Sequence, residues 1–466
     1  MKTSLILHPM IAMVVSVLAT ACASSNTPDA PPNSGASSSG TGGAASGTTG
    51  SGGSTSGGSA SGGTAGGGTT AASGSPTTSG GATGTGGGTG SGAAGGSGGV
   101  TGSGGSSGGS GGSGGMVSSV VGPCDIYGDA GAACVAAYST VRTLSSTYTG
   151  PLYQLRRGGP SPNTGSGGET QDIGLLANGF ADVTAHEAFC GTATCTFSVL
   201  YDQSGQGNDL TVAKAGCYNC NTNPPDSACT DDYESNAMRH SLTVGGNKVY
   251  AVYMDEHEGY RTGGVPYPQT SPPGNGMPTG SEPQGIYMIA DGNRNGCCCC
   301  WNFGNASTNN CYGPSGQMNA LFFGDGYWGE GTGDGPWFLG DFEAGVWAGG
   351  TGESNYVNPN SPSMTMDYAF GILKSNATNY AIRMGDATTG NLTTAWDGGL
   401  PTPFGPDGAG PQAQWSMAGG VILGIGGDNS NHSFGTFFEG AITAGRPTDE
   451  IDAAVHENVK AVRYGQ

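Results

Sequence analysis

The sequence predicts an all-β fold, two packed antiparallel sheets with a few short helices, carried behind a disordered linker. Short apolar or alternating runs recur between Val117 and Gln466: Thr196 to Tyr201, Lys248 to Met254, Gly285 to Ala290, Ala320 to Phe323 and Gly420 to Gly424. Gly, Asn, Asp and Pro punctuate nearly every run, as turns between short strands require. Many short strands with long connections point to two sheets packed face to face. Helical patterning is scarce. Cys134 to Arg142 is expected to form one helix. A second is expected after Thr448, a suitable N-cap, with Asp449 and Glu450 in its first turn and Ile451, Val455, Val459 and Val462 on a core-facing stripe.

Taken in chain order, residues 1–22 read as an export signal. Lys2 supplies the positive start, Leu5 to Leu18 are largely apolar, and Ala19-Thr20-Ala21 offers small residues for cleavage. The apolar run is too short for a retained membrane span. Cys22 follows at once, which predicts a lipoprotein whose acylated Cys22 becomes the mature N-terminus; plain secretion is the alternative. Residues 23–116 are almost entirely Gly, Ser, Thr and Ala. Such a segment cannot bury enough apolar surface to offset the entropy of ordering, so it reads as a flexible tether spanning roughly 50 Å root-mean-square. That reach suits an enzyme held at a surface and working on an insoluble substrate. With no second linker, residues 117–466 are expected to form one domain.

Acidic residues outnumber basic ones by 34 to 14, for a net charge of −20. Nucleic acid and anionic membrane both need a basic face, so they are poor partners, whereas a neutral carbohydrate is compatible with an acidic cleft. The chain has thirteen cysteines; twelve remain if Cys22 carries lipid, consistent with complete pairing in an oxidising compartment. Local spacing suggests Cys124 with Cys134 and Cys190 with Cys195. Several pairings are open to Cys217, Cys220, Cys229 and Cys311. The run Cys297-Cys298-Cys299-Cys300 admits a thiolate metal cluster, bonds to distant cysteines, or a strained bond between neighbours, whose Cα atoms stand only about 3.8 Å apart.

Two stretches carry the candidate chemistry: Gly333 to Glu343, which contains Trp337-Phe338-Leu339-Gly340-Asp341-Phe342-Glu343, and Leu423 to Asn431, which contains Gly426-Gly427-Asp428-Asn429. Each sets an acid among glycines and apolar residues, where backbone approaches a ligand closely and a ring can stack on a sugar. Other candidates are weaker. Ser204 in Asp202-Gln203-Ser204-Gly205 lacks the strand-turn-helix setting of a serine nucleophile. His186, His240, His257, His432 and His456 show no metal-ligand spacing. Asp202 and Asn208 are expected to shape a loop, and Glu439 to be a buried anchor, with a catalytic role as a reserve.

With these acid segments, Gly122 to Tyr127, Gly150 to Leu155, Tyr201 to Asn208 and Gly259-Tyr260-Arg261 resemble, in order, the catalytic domain of the α-L-arabinofuranosidase B family, glycoside hydrolase family 54. The resemblance spans Gly122 to about Tyr464. It implies a concanavalin-like β-sandwich and a retaining, exo-acting removal of terminal α-L-arabinofuranosyl residues from arabinan, arabinoxylan or related polysaccharides. It implies Glu343 as nucleophile, Asp428 as acid/base, Asp341 as a sugar-binding acid, Trp328 as an aromatic wall, Gly427 as a backbone contact, and a sugar-facing Cys299–Cys300 disulfide. Ala344 and Gly345 stand where fungal members carry two asparagines, Cys297 and Cys298 are additional, and the family's C-terminal arabinose-binding trefoil is expected to be absent because the chain stops after its final helix.

Two carboxylates about 5 to 5.5 Å apart suffice for retention, so neither cofactor nor metal is expected. Asp428 is expected to hold a proton in the free protein and give it to the leaving oxygen, while Glu343 attacks. Asp341, two residues away on a strand-like segment, is expected to share Glu343's sheet face. A galactofuranosidase and a catalytically inactive carbohydrate-binding sandwich are the rival readings. The chain is expected to act as a monomer.

Overall fold

In a computed structural model of the chain, residues 121–220, 230–296, 300–311, 317–325, 329–343, 345–352, 356–401 and 416–466 are described. The expected signal and linker, Cys22, Cys229, Cys297, Cys298, Cys299, Trp328 and Ala344 lie outside them, as does the Cys220 side chain.

Two antiparallel sheets face one another. The seven-stranded sheet runs Cys134–Ser139, Gly435–Ala444, Gln284–Asn295, Ala369–Ser375, Asn379–Asp386, Thr389–Gly399, with Val252–Met254 pairing on Gly435–Ala444. The ten-stranded sheet runs Val346–Trp347, Trp337–Asp341, Asn319–Gly324, Asn302–Ala306, Gly420–Leu423, Tyr260–Arg261, Leu210–Val212, Cys195–Leu200, Tyr153–Arg157, Glu169–Ile173. Rings interlock between the layers: Phe303 lies 5.3 Å from Phe437, and Phe342 meets Tyr380 edge-on at 5.2 Å. Gly371 admits Phe338, since a Cβ there would stand 2.3 Å from the ring.

Most central strands are buried on both faces, because helices and loops cover the outer sides. Cys134–Ser139 shows the consequence. All six of its residues are buried, and it pairs with Gly435–Ala444 from Cys134↔Thr443 to Ser139↔Glu439. The helix expected at Cys134 to Arg142 is therefore corrected to a strand. An apolar run buried on both sides loses the alternation that tells strand from helix. Lys248 to Met254 splits at Ala251 into Asn247–Tyr250, which forms a hairpin with Ser241–Val244, and Val252–Met254.

The expected C-terminal helix spans Asp449–Val462, with Thr448 Oγ1 accepting from the Ile451 N–H and Val455 and Val459 fully buried. Buried charge fastens it. Lys374, on a central strand, donates to Asp449 and Asp452 at 2.5 and 2.6 Å, and Arg383 reaches Asp452 at 3.2 Å. Two further helices, Pro123–Asp129 and Val183–Cys190, carry too few residues to show a helical period in sequence. The expected Cys124–Cys134 and Cys190–Cys195 disulfides are present, and Cys217–Cys311 resolves one open pairing. Among the described residues no helix is long and apolar enough to cross a membrane.

Glu439 is the buried anchor expected of it. Arg142 grips it through Nε and Nη2 at 2.8 and 2.7 Å, and the Tyr464 hydroxyl donates to it at 2.8 Å. Glu439→Ala strands the Arg142 guanidinium without its partner and should cost about 3–5 kcal/mol. Urea unfolding measures this; a loss below about 1 kcal/mol would contradict the assignment.

Candidate active site

Cross-strand pairing fixes the floor of the site. Directly opposed residues of an antiparallel sheet share a face, and one such row runs Arg261↔Ile422↔Gly304↔Ala320↔Asp341 across five strands. Its neighbours along the strands, Phe303 and Phe338, point into the core, so this row faces away from it. Gly304 and Ala320 keep the middle of the row low. Over it arch two turns, one after Trp337–Asp341 and one after Gly420–Leu423.

The first turn presents Glu343. The strand ends at Asp341; the Phe342 N–H closes on the Gly345 carbonyl at 3.0 Å, and Asp341 Oδ1 accepts the Glu343 N–H at 3.0 Å. Glu343 has φ +68°. The two acids thus come together through a turn, correcting the expectation that strand alternation alone would aim them alike. The second turn presents Asp428. Its Oδ1 accepts the Ser430 N–H at 2.9 Å, Asn429 has φ +70°, and the Gly426 N–H returns to the Ser430 carbonyl at 2.8 Å. Left-handed backbone at a non-glycine residue is strained, and both turns contain one.

Gly427 sets their approach: a Cβ there would lie 2.5 Å from Glu343 Oε2. One on Gly426 would lie 3.2 Å from Asp428 Oδ1 and 3.3 Å from Cys300 Sγ. Cys300 is buried and disulfide-bonded, and its sulfur accepts from Ser430 Oγ at 3.5 Å. Its expected partner Cys299 and the expected wall Trp328 fall outside the described residues.

Arg261 lies behind this group. Its Nη2 donates to the Gly427 and Ser307 carbonyls at 2.9 and 2.6 Å, and Nη1 has no partner among the described residues. Burial pulls its pKa down to about 10, opposed by Glu343, Asp428 and Asp232. Burial pushes the Glu343 carboxyl well above the usual range; Asp428 and then Asp341 push it further, against Arg261. Asp341 is pushed up to about 7, mainly by burial. The cluster therefore retains a proton near neutrality, with the upward push falling on Glu343 and Asp341.

Sequence reasoning missed several supporting residues. Arg261 is a charge on the short buried strand Tyr260–Arg261, a signal of burial, whereas Asp232 sits in a polar stretch that gives none. Asp232, pushed up to about 8 chiefly by burial, accepts from Asn431 Nδ2 and ties down the Asp428 turn. The Cys217–Cys311 loop braces the turn from the other side, where the Tyr218 N–H donates to the Asp428 carbonyl at 3.2 Å. Met318 Sδ packs 3.1 Å from the Cβ position of Gly427.

The remaining candidates stand elsewhere. Asp202 shapes its loop, accepting from the Ala137, Ser204 and Asn208 N–H groups at 2.9, 2.9 and 3.0 Å, and Ser204 Oγ is bound to it. Asn208 bridges the Val135 and Asn275 carbonyls. His186 is a core residue on the Tyr153 hydroxyl, and His456 binds the Asp386 carbonyl. His240 stacks on Tyr253.

Asp341→Asn removes a negative charge beside Glu343. The Glu343 carboxyl should then titrate at lower pH than in the parent, as read by carbon NMR of labelled glutamate; an unchanged or higher titration would contradict the coupling.

The family model described as "Alpha-L-arabinofuranosidase B, catalytic" matches residues 123–465. The chain is 39% identical over 345 residues to the probable alpha-L-arabinofuranosidase B of Aspergillus flavus, covering 74% of this chain and 62% of that protein. It is 39% identical over 344 residues to the alpha-L-arabinofuranosidase of Hypocrea jecorina, covering 74% and 63%. The chain thus spans somewhat less than two thirds of these relatives. A crystal structure of an arabinofuranosidase complexed with arabinofuranosyl-α-1,2-xylobiose superposes with a TM-score of 0.65 at 36% identity, over 74% of this chain and 66% of that one. A GH54 α-L-arabinofuranosidase soaked with a cyclic sulfate inhibitor gives a TM-score of 0.64 at 38% identity, with the same coverage.

Proposed function

The chain belongs to the α-L-arabinofuranosidase B catalytic-domain family, glycoside hydrolase family 54, and from that membership we propose that it removes terminal non-reducing α-L-arabinofuranosyl residues by double displacement. The observation that carries the reading is the convergence of Glu343 and the Asp428 turn on Gly427, above a row of the sheet that ends in Asp341. Few structural roles need Glu343 and Asp428 brought together before one buried arginine, with a third acid closing the far end of the same row.

In the proposed reaction Glu343 attacks the anomeric carbon as a carboxylate. Asp428 protonates the leaving oxygen, and then, as a carboxylate, takes a proton from the water that cleaves the arabinosyl ester. The productive arrangement places the cluster's proton on Asp428, with Arg261 behind Gly427 favouring the ionised Glu343. Asp341 and the Gly427 backbone hold sugar hydroxyls, and Cys299, Cys300 and Trp328 are proposed as further sugar contacts on the family resemblance. Arabinan or arabinoxylan is the proposed substrate class. The export signal and Cys22 support a cell-surface lipoprotein or a secreted enzyme, and we propose that it acts as a monomer.

The parent chain should release nitrophenol from the α-L-arabinofuranoside. Asp428→Asn should lower turnover by about 10²–10⁴-fold, and Glu343→Gln on the order of 10⁴-fold or more. Azide, which needs no general base, should restore the Asp428 variant and not the Glu343 one. A folded parent that binds arabinose without cleaving would overturn catalysis, and turnover of the galactofuranoside alone would overturn the sugar.

A further inference from the structure

Histidines scattered in sequence meet beside the Asp428 turn. His432, four residues past Asp428, stands against Glu256 and His257, and one donor atom from each of the three exposed side chains lies within 4.8 Å of the others. The two imidazoles meet edge-on with ring centres 5.1 Å apart. We propose that Glu256, His257 and His432 bind a divalent transition-metal ion of the zinc type.

The donor set selects the ion. Two neutral imidazoles and one carboxylate suit Zn2+, Cu2+ or Ni2+, whereas Ca2+ and Mg2+ call for oxygen ligands. Exposure leaves the remaining coordination positions to water.

The surroundings orient a ligand. His257 Nδ1 lies 3.1 Å from Asn431 Oδ1. Asn431 Nδ2 is committed to Asp232 Oδ1, so it is the amide oxygen that faces the ring. Nδ1 therefore carries the hydrogen, and Nε2 keeps the lone pair a metal takes. A ligating histidine is commonly fixed in this way by a bond from its other nitrogen.

The ligands also sit on segments already joined. The His257 N–H donates to the Asn431 carbonyl at 2.8 Å, and the Tyr233 N–H to the His257 carbonyl at 2.8 Å. Little ordering remains when the ion arrives. The chain's net charge of −20 favours a cation. The bound ion clasps the loop at Glu256 and His257 to the segment carrying Asp428.

The test is calorimetric titration of the untagged, metal-stripped chain with zinc chloride, and with calcium chloride in parallel. One saturable zinc site per chain is expected, with no calcium uptake. The thermal midpoint should rise with zinc concentration, as mass action requires. His257→Ala and His432→Ala should each abolish the site, Asn431→Ala should weaken it by about 10-fold or more, and His240→Ala should leave it intact. All three ligands are exposed, so these variants are expected to keep the parent's circular dichroism. The absence of saturable zinc uptake, or equal uptake in the His257 and His432 variants, would overturn the site. These outcomes are read by heat and melting, so they stand apart from whether the chain cleaves arabinofuranosides.

Discussion

Gathering carboxyls largely out of water requires a fixed countercharge, and Arg261 supplies it for Glu343 and Asp428. Its guanidinium forms no ion pair among the described residues; it holds the Gly427 carbonyl instead and acts on Glu343 and Asp428 through the field. An ion-paired arginine would have its charge largely cancelled. A buried one bonded to carbonyls keeps it available, at the cost of its own desolvation. The position follows from the cross-strand row that sets Arg261 and Asp341 at opposite ends of one face.

The rest of the domain makes that arrangement stiff. Glu439 with Arg142, and Lys374 with Asp452, are buried pairs on the seven-stranded sheet, where they fasten the C-terminal segments. The Asp428 turn is braced by Asp232 through Asn431 and by the Cys217–Cys311 loop through Tyr218. Such bracing lets Glu343 and Asn429 occupy left-handed backbone that neither would choose alone. The proposed chemistry uses the same stiffness, since a nucleophile and an acid must keep their separation through two steps.

Much of this was legible in sequence and some was not, for physical reasons. Strands such as Gln284–Asn295 and Asn319–Gly324 announce themselves by β-branched and aromatic runs between turn residues. Thr448 with its acidic first turn marks the last helix. Cys134–Ser139 misleads because burial on both faces erases alternation. The short loops of Cys124–Cys134 and Cys190–Cys195 could be read from spacing, whereas Cys217–Cys311 closes a separation of 94 residues that only the fold explains. Glu343, Asp341 and Asp428 stand out in sequence through motif resemblance, and the structure shows that Asp428 also forms a turn. Arg261, Asp232 and the meeting of His257 with His432 depend on strand order, which no local pattern carries.

The central claim is that Glu343 becomes covalently bound to the sugar. It is tested most directly by acid-quenching Asp428→Asn during reaction with nitrophenyl α-L-arabinofuranoside, whose good leaving group needs little protonation, and sequencing the peptic peptides by mass spectrometry. The account predicts a pentosyl ester on Glu343 that accumulates because its hydrolysis lacks a base. No adduct, or one on Asp341 or any other residue, would contradict it.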